Sequence, residues 1–101
     1  MKTSVAIPHH DYSSSVRTKV EERLRPLEDI SREVHSVHAV VERERDLHRV
    51  ELVANVARGH TLVADVRRES FKDALGEAVR RMSSQLKKLH GRIVDRRHGR
   101  A

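Results

Sequence analysis

The sequence predicts an α+β fold in a single domain, with two helices packed on one face of a mainly antiparallel four-stranded sheet. Two segments, near residues 16–27 and 71–93, repeat apolar residues every three or four positions, which is the period of an amphipathic helix. Between them, from Val34 to Val66, the apolar period falls to two, which indicates strands. The connections between those strands are short, so sequential strands should pair antiparallel. The length of 101 residues suits one modest core.

The chain begins with a short strand and then a helix. The apolar run from Val5 to Ile7 ends at Pro8, which cannot donate to a sheet ladder, so we expect an edge strand. Residues 13–15 are three serines that offer N-terminal caps for the first helix. The apolar residues of that helix are Val16, Val20, Leu24 and Leu27. Pro26 lacks an N–H group, so the helix should fray or kink within a turn of it.

Three strands follow, each with one apolar face directed at the core. The predicted inward residues are Val37, Ala39, Val41, Val50, Leu52, Ala54, Val56, Leu62, Ala64 and Val66. Residues 43–48, with the sequence RERDLH, are charged, and we interpret them as a loop. Residues 58–60 include Gly59, which tolerates a positive φ, and predict a hairpin turn.

The last helix, from Ser70 to Arg92, carries most of the charge signal. Its apolar residues fall in one sector, and a cationic stripe occupies the opposite side. From Arg80 to the end of the chain there are eight Lys or Arg residues and one acid, Asp95, a net charge of +7 in a chain whose total is +6. We therefore divide the chain into a folded domain, residues 1–92, and a basic flexible tail, residues 93–101.

Composition limits the possible functions. There is no cysteine, so a thiolate metal site and a cysteine nucleophile are excluded. No set of nucleophile, base and orienting group has a recognisable spacing, and His35 and His38 point to opposite faces of a strand. We therefore expect no enzyme, metal, cofactor or small-molecule substrate. No stretch resembles a signal peptide or a membrane span, which predicts a cytoplasmic protein. A pI near 10.5 favours an acidic partner, above all nucleic acid.

The order of elements and three segments resemble the ribosome hibernation promoting factor family, also called protein Y or ribosome-associated inhibitor. The segments are VRTKVEERLRPLE, HAVVERE followed by HRVELVANVARGHTLVAD, and ESFKDALGEAVRRMSSQLKKL. The resemblance covers about Val5 to Leu89 and is to a short member of the family. It implies a protein that binds small-subunit rRNA in the decoding channel, where mRNA and tRNA would sit, and silences idle ribosomes.

The resemblance also implies which residues contact RNA. The basic counterparts lie on the two helices, and the cationic stripe adds one more residue at its end. The predicted RNA-binding residues are Arg17, Arg23, Arg25, Arg80, Arg81, Lys87, Lys88 and Arg92. Whether ribosome dimers are promoted or blocked, and whether the protein self-associates, stay open. The alternative is an interaction or self-associating module with a fold like that of double-stranded-RNA-binding domains and no ribosome partner.

Overall fold

The computed structural model describes the backbone of residues 1–97 and the side chains of residues 1–93. Its elements follow the predicted order, with one additional short helix, and confirm the α+β fold. They are β1 (Lys2–Ala6), α1 (Ser15–Leu24), α2 (Leu27–Ile30), β2 (Val34–Glu44), β3 (Leu47–Val56), β4 (His60–Arg68) and α3 (Phe71–Arg97).

The four strands form one sheet in the order β1-β2-β3-β4. β1 pairs parallel with β2, while β2 with β3 and β3 with β4 pair antiparallel. The parallel pair needs a crossover connection, and α1 with α2 supplies it. The residues predicted to face the core are buried, except that Leu62 is half-buried and packs against the core from its margin.

Residues 43–48 were interpreted from their charge as a loop, and that interpretation is wrong. β2 continues to Glu44 and β3 begins at Leu47, so the turn contains only Arg45, at φ 57°, and Asp46. The ladder sets Glu42 opposite Arg49, and their side chains form an ion pair on the outer face of the sheet. Cross-strand pairs of opposite charge stabilise a sheet, so a charged sequence is compatible with strand here.

The connection between β3 and β4 is a hairpin turn, as predicted. Arg58 and Gly59 both have positive φ, 68° and 77°, in the region that glycine enters without steric cost. Pro26 also acts as predicted, because α1 ends at Leu24 and α2 starts at Leu27.

The predicted serine cap of α1 is wrong in detail. Ser14 occupies the N-cap position, but its side chain makes no capping hydrogen bond. The hydroxyls of the serines on either side of it, Ser13 and Ser15, bond to each other at 2.8 Å. The serine cap instead occurs on α3, where the Asp73 N–H donates to Ser70 Oγ at 3.1 Å.

α3 is longer than the predicted segment. It passes through Gly91 and reaches Arg97, and Ile93 is buried in the core. The tail assigned to residues 93–101 thus begins inside the helix, and its last four residues lie outside the described part of the chain. At 27 residues α3 is about 40 Å long. None of the described helices is apolar enough over a sufficient length to span a membrane.

The core lies between the sheet and the helices. α3 packs on β3 and β4, α1 lies against β1, and α2 contacts α3. One face of the sheet is covered in this way. The outer face of the sheet and the outward sides of α1 and α3 remain in solvent.

Candidate nucleic-acid interface

The exposed cations of α3 lie along two edges of the helix. Arg80 and Lys87, seven residues apart, share the edge that faces α1. Arg81, Lys88 and Arg92, spaced by seven and four, share the edge that faces β4. All five side chains are exposed. A single stripe in the sequence is therefore two parallel rows in the structure.

The edge toward α1 brings the two helices' cations together. Gly76 is buried on this edge, and a Cβ at Gly76 would lie 3.5 Å from Arg80 Nη1 and 3.8 Å from Arg23 Nη2. The guanidinium of Arg80, from α3, and that of Arg23, from α1, thus flank one point. Two guanidinium groups at one point suit a phosphate, which each can bind through two N–H groups.

The edge toward β4 is partly neutralised. Arg81 Nη2 lies 2.5 Å from Glu77 Oε2, and the same carboxylate pairs with Arg68 of β4. The hydrogen bond from Arg68, followed by the charges of Arg68, Arg81 and Arg80, lowers the pKa of Glu77. Farther along this edge, the Gln85 side-chain amide donates to the Val63 backbone carbonyl at 2.9 Å and links α3 to the edge strand β4.

The cations of α1 differ among themselves. The Arg17 guanidinium donates to the carbonyl of Val5 and so fastens α1 to β1. Arg25 lies at the carboxyl end of α1 beside a hollow that is also lined by Glu22, Glu28 and Asp29. The nearby acids weaken the positive potential at Arg25. Arg23 is the predicted α1 residue that the structure brings to the α3 cations.

The eight predicted residues are all exposed, and most carry an unneutralised charge. Within the side chains of residues 1–93, no acidic partner lies within 4.0 Å of seven of them. Those seven are Arg17, Arg23, Arg25, Arg80, Lys87, Lys88 and Arg92. Arg81 alone of the eight is paired among these described side chains. A surface of this kind exposes positive charge that a polyanion can neutralise.

Two further lysines belong to this surface and were absent from the predicted set. Lys19 and Lys72 line the groove between α1 and α3 together with Arg23. Lys19 is four residues before Arg23, so the i, i+4 spacing on α1 was a usable signal. For Lys72 the sequence held no comparable signal, because its position depends on how α1 crosses α3.

The arginines on the outer face of the sheet have acidic partners. Arg49 contacts Glu42 at 2.9 Å, Glu51 at 3.1 Å and Asp65 at 3.1 Å, and its side chain is 17% exposed. The hydrogen bonds that Arg49 donates, first to Asp65 and then to Glu42, raise the pKa of Arg49. Arg67 pairs with Glu44 at 2.9 Å, and its hydrogen bond lowers the pKa of that carboxyl. These cations are already neutralised.

One half-buried cluster lies at the end of the sheet under the first turn of α3. The ring of Tyr12 lies 5.3 Å from Phe71 and 5.7 Å from His48, and Tyr12 Oη hydrogen-bonds His48 Nδ1 at 2.6 Å. Burial raises the pKa of Tyr12. Burial, followed by the charge of Arg43, lowers the pKa of His48. No group of three or more metal-ligating side chains occurs in the described part of the chain.

The fold and this surface together define an α+β domain with a cationic helical face. A family model described as "Sigma 54 modulation protein / S30EA ribosomal protein" matches residues 4–94, and the chain belongs to that family. Its members are ribosome-associated proteins and generally non-enzymatic. The sequence-based resemblance to hibernation promoting factors is thereby confirmed. No curated protein sequence matches the chain.

Solved structures show the same fold. The N-terminal domain of Protein Y from Thermus thermophilus superimposes with a TM-score of 0.77 at 18% identity, covering 88% of this chain and 99% of that one. A ribosomal subunit interface protein from Coxiella burnetii gives 0.76 at 17% identity, covering 90% and 99%. At these identities, the likeness establishes the fold.

Proposed function

We propose that this ribosome-associated protein is a hibernation factor that binds small-subunit rRNA in the decoding channel through α1 and α3. Bound there, it blocks the mRNA and tRNA sites. Its site of action is the cytoplasm, where ribosomes are. The observation that carries the proposal is the pair of adjacent helices whose exposed cations have few acidic partners, in a chain of this family.

The chemistry favours recognition of the RNA backbone. Guanidinium and ammonium groups on rigid helices bind phosphates and release counterions, so affinity should fall as salt rises. With about five phosphate contacts, the loss between roughly 50 and 200 mM salt is on the order of 100-fold. The ion-paired arginines of the sheet should add little to this binding, because their charge is already neutralised.

The test is co-sedimentation of the purified protein with 30S subunits and 70S ribosomes in sucrose gradients at low and raised salt. The double variant Lys87→Glu, Lys88→Glu should lose affinity on the order of 100-fold, since two phosphate contacts become repulsive. Its thermal melt should be nearly unchanged, because both side chains are exposed.

The matched control is Lys2→Glu, Arg32→Glu, which changes the net charge equally at exposed cations outside α1 and α3. It should bind ribosomes as the unaltered protein does. Equal losses in both double variants would mean that only net charge matters and would contradict the proposed interface. A protein that stays at the top of the gradient at low salt and self-associates independently of salt would favour an interaction module.

A further inference from the structure

The groove between α1 and α3 has the features of a binding site for a single nucleobase. Six residues from the two helices line it, and its volume is about 300 Å³. They are Lys19, Glu22, Arg23, Phe71, Lys72 and Leu75. We propose that it receives one unstacked RNA base bearing an exocyclic amino group, with the adjoining phosphates held by the cations at its rim. The inference rests on the proposed function and names a feature of the RNA that the helices bind.

The apolar part of the groove comes from α3. Leu75 is buried and Phe71 is half-buried, so carbon atoms of both form a surface inside a cationic rim. A volume near 300 Å³ lies at the low end for small-molecule sites and suits one base. Bases of single-stranded RNA stack on aromatic side chains whatever their identity, because each has a π face.

Phe71 is held in place before any ligand arrives. Its ring lies 5.3 Å from Tyr12 and 6.5 Å from His48, and those two side chains are hydrogen-bonded to each other. A ring fixed in this way loses little conformational freedom on stacking. Phe71 packs against the core and also lines the groove, so its ring lies at the boundary between them.

The rim of the groove carries cations from both helices. Lys19 and Lys72 lie at the groove, and Arg23 extends from it toward Gly76, where Arg80 Nη1 also approaches. None of these four cations has an acidic partner within 4.0 Å among the described side chains. Phosphates on both sides of an inserted base would therefore meet free positive charge.

Glu22 is the acidic residue of the groove and gives the site a preference among bases. Its side chain is exposed and forms no ion pair within the described residues. A carboxylate accepts hydrogen bonds and repels acceptors, so it favours the amino group of cytosine or adenine over the carbonyl groups of uracil. Cytidine and uridine monophosphates differ at that group and form a matched pair of probes.

The experiment is a titration of the full chain, followed by backbone amide NMR, with cytidine monophosphate, uridine monophosphate and ribose 5-phosphate. Cytidine monophosphate should shift amides around the groove and bind about 5-fold or more tightly than uridine monophosphate. Ribose 5-phosphate should bind more weakly than both, because it lacks the base. Equal binding of all three probes, with shifts spread along both helices, would overturn the inference.

Three variants test the named side chains. Phe71→Leu should weaken cytidine monophosphate about 5- to 100-fold, and Phe71→Tyr should retain binding because the ring remains. Glu22→Gln should abolish the preference for cytidine. Since Glu22 is exposed, that variant folds even if a substitution at Phe71 does not. An unchanged preference in Glu22→Gln would contradict the role given to this carboxylate.

Ribosome co-sedimentation separates this inference from the proposed function. If Phe71→Leu is folded and binds 30S subunits as tightly as the unaltered protein, the groove holds no base and the inference fails, while the function stands. If cytidine monophosphate binds in the groove as described but no protein sediments with ribosomes, the groove stands and the proposed function fails.

Discussion

The outer face of the sheet and the outward face of the two helices are both rich in arginine, but their arginines have opposite surroundings. On the sheet, Arg49 is surrounded by carboxylates at 2.9 to 3.1 Å. On the helices, Arg23 and Arg80 approach each other across Gly76 without an acidic partner among the described side chains. Charges on the sheet stabilise the fold, and charges on the helices are available to a partner.

The difference follows from backbone geometry. Adjacent strands are about 4.8 Å apart, so side chains on one sheet face meet across the ladder. The sequence places Glu42 of β2 opposite Arg49 and Asp65 of β4 diagonal to it. Side chains on the outward face of a helix diverge into solvent, and neighbours exist only three or four residues away. α3 provides such an acid once on this face, as Glu77 for Arg81.

The largest expected effect is on the free energy of unfolding, compared between one arginine substitution in the sheet and one in the helices. Arg49→Met keeps the aliphatic stem but leaves several carboxylates without their cation, and should reduce the free energy of unfolding by about 2 kcal/mol. Arg80→Met removes an exposed cation with no acidic partner, and should change it by less than about 0.5 kcal/mol. Urea denaturation measures both.

Ribosome binding should show the reverse order for the same two variants. Arg80→Met removes a phosphate contact and should weaken co-sedimentation, while folded Arg49→Met should bind normally. A loss of stability of the same size in both variants would show that the helix cations stabilise the fold as well, and the contrast between the faces would disappear.

Gly76→Ala tests whether Arg23 and Arg80 can approach each other only when residue 76 has no side chain. The added methyl group would meet their nitrogens at 3.5 and 3.8 Å, which are ordinary contact distances. Alanine has the higher helix propensity, so we expect a gain of about 0.5 to 1 kcal/mol in unfolding free energy and no change in RNA binding.

Gly91→Ala is the control for that gain, since nothing lies within 4 Å of its added Cβ. The two variants should gain similar stability by thermal denaturation. Weaker RNA binding by Gly76→Ala alone would mean that the two guanidinium groups need the open space above Gly76.

The smallest expected effect concerns Glu77, the acid on α3 that forms ion pairs with Arg81 and Arg68. The pKa of Glu77 is lowered from its usual 4.5 by Arg68 first. A carboxyl with a lowered folded pKa stabilises the fold above its unfolded pKa, and this contribution is lost as pH falls through the folded pKa. Glu77→Gln does not titrate, so its melting temperature should fall less steeply between about pH 5 and pH 3.

The same substitution frees Arg81 for RNA, so affinity should rise roughly two- to fivefold at low salt. Glu69→Gln, at an exposed acid without an ion pair among the described side chains, serves as the control for removing one negative charge. An equal rise in both variants would assign the effect to net charge and not to the pair of Glu77 with Arg81.

The sequence predicted the fold well because its periods are simple. Alternation placed Val37, Ala39 and Val41 in the core, and Pro26 marked the break between α1 and α2. The sequence-based prediction failed where one local signal is compatible with two kinds of structure. Charge in residues 43–48 is typical of a loop, but acids and arginines that face each other across a ladder are equally stable in strands.

For the candidate site, the sequence identified basic residues on two helices but not their arrangement. The i, i+7 spacings separate the α3 cations into two rows, yet which row meets α1 depends on how the helices pack on the sheet. Lys72 and Phe71 were therefore missed, because the groove that they line is completed by Lys19 and Arg23 on the other helix.

The sequence by itself determined the order of elements, the buried face of each one and the concentration of positive charge on α3. Those properties follow from local periodicity and composition, which act between residues a few positions apart. Only the tertiary structure decided which cations are neutralised, which ones meet across Gly76 and where the groove beside Phe71 opens. Ion pairing and cavity shape depend on distances between residues remote in the chain, and packing alone fixes those distances.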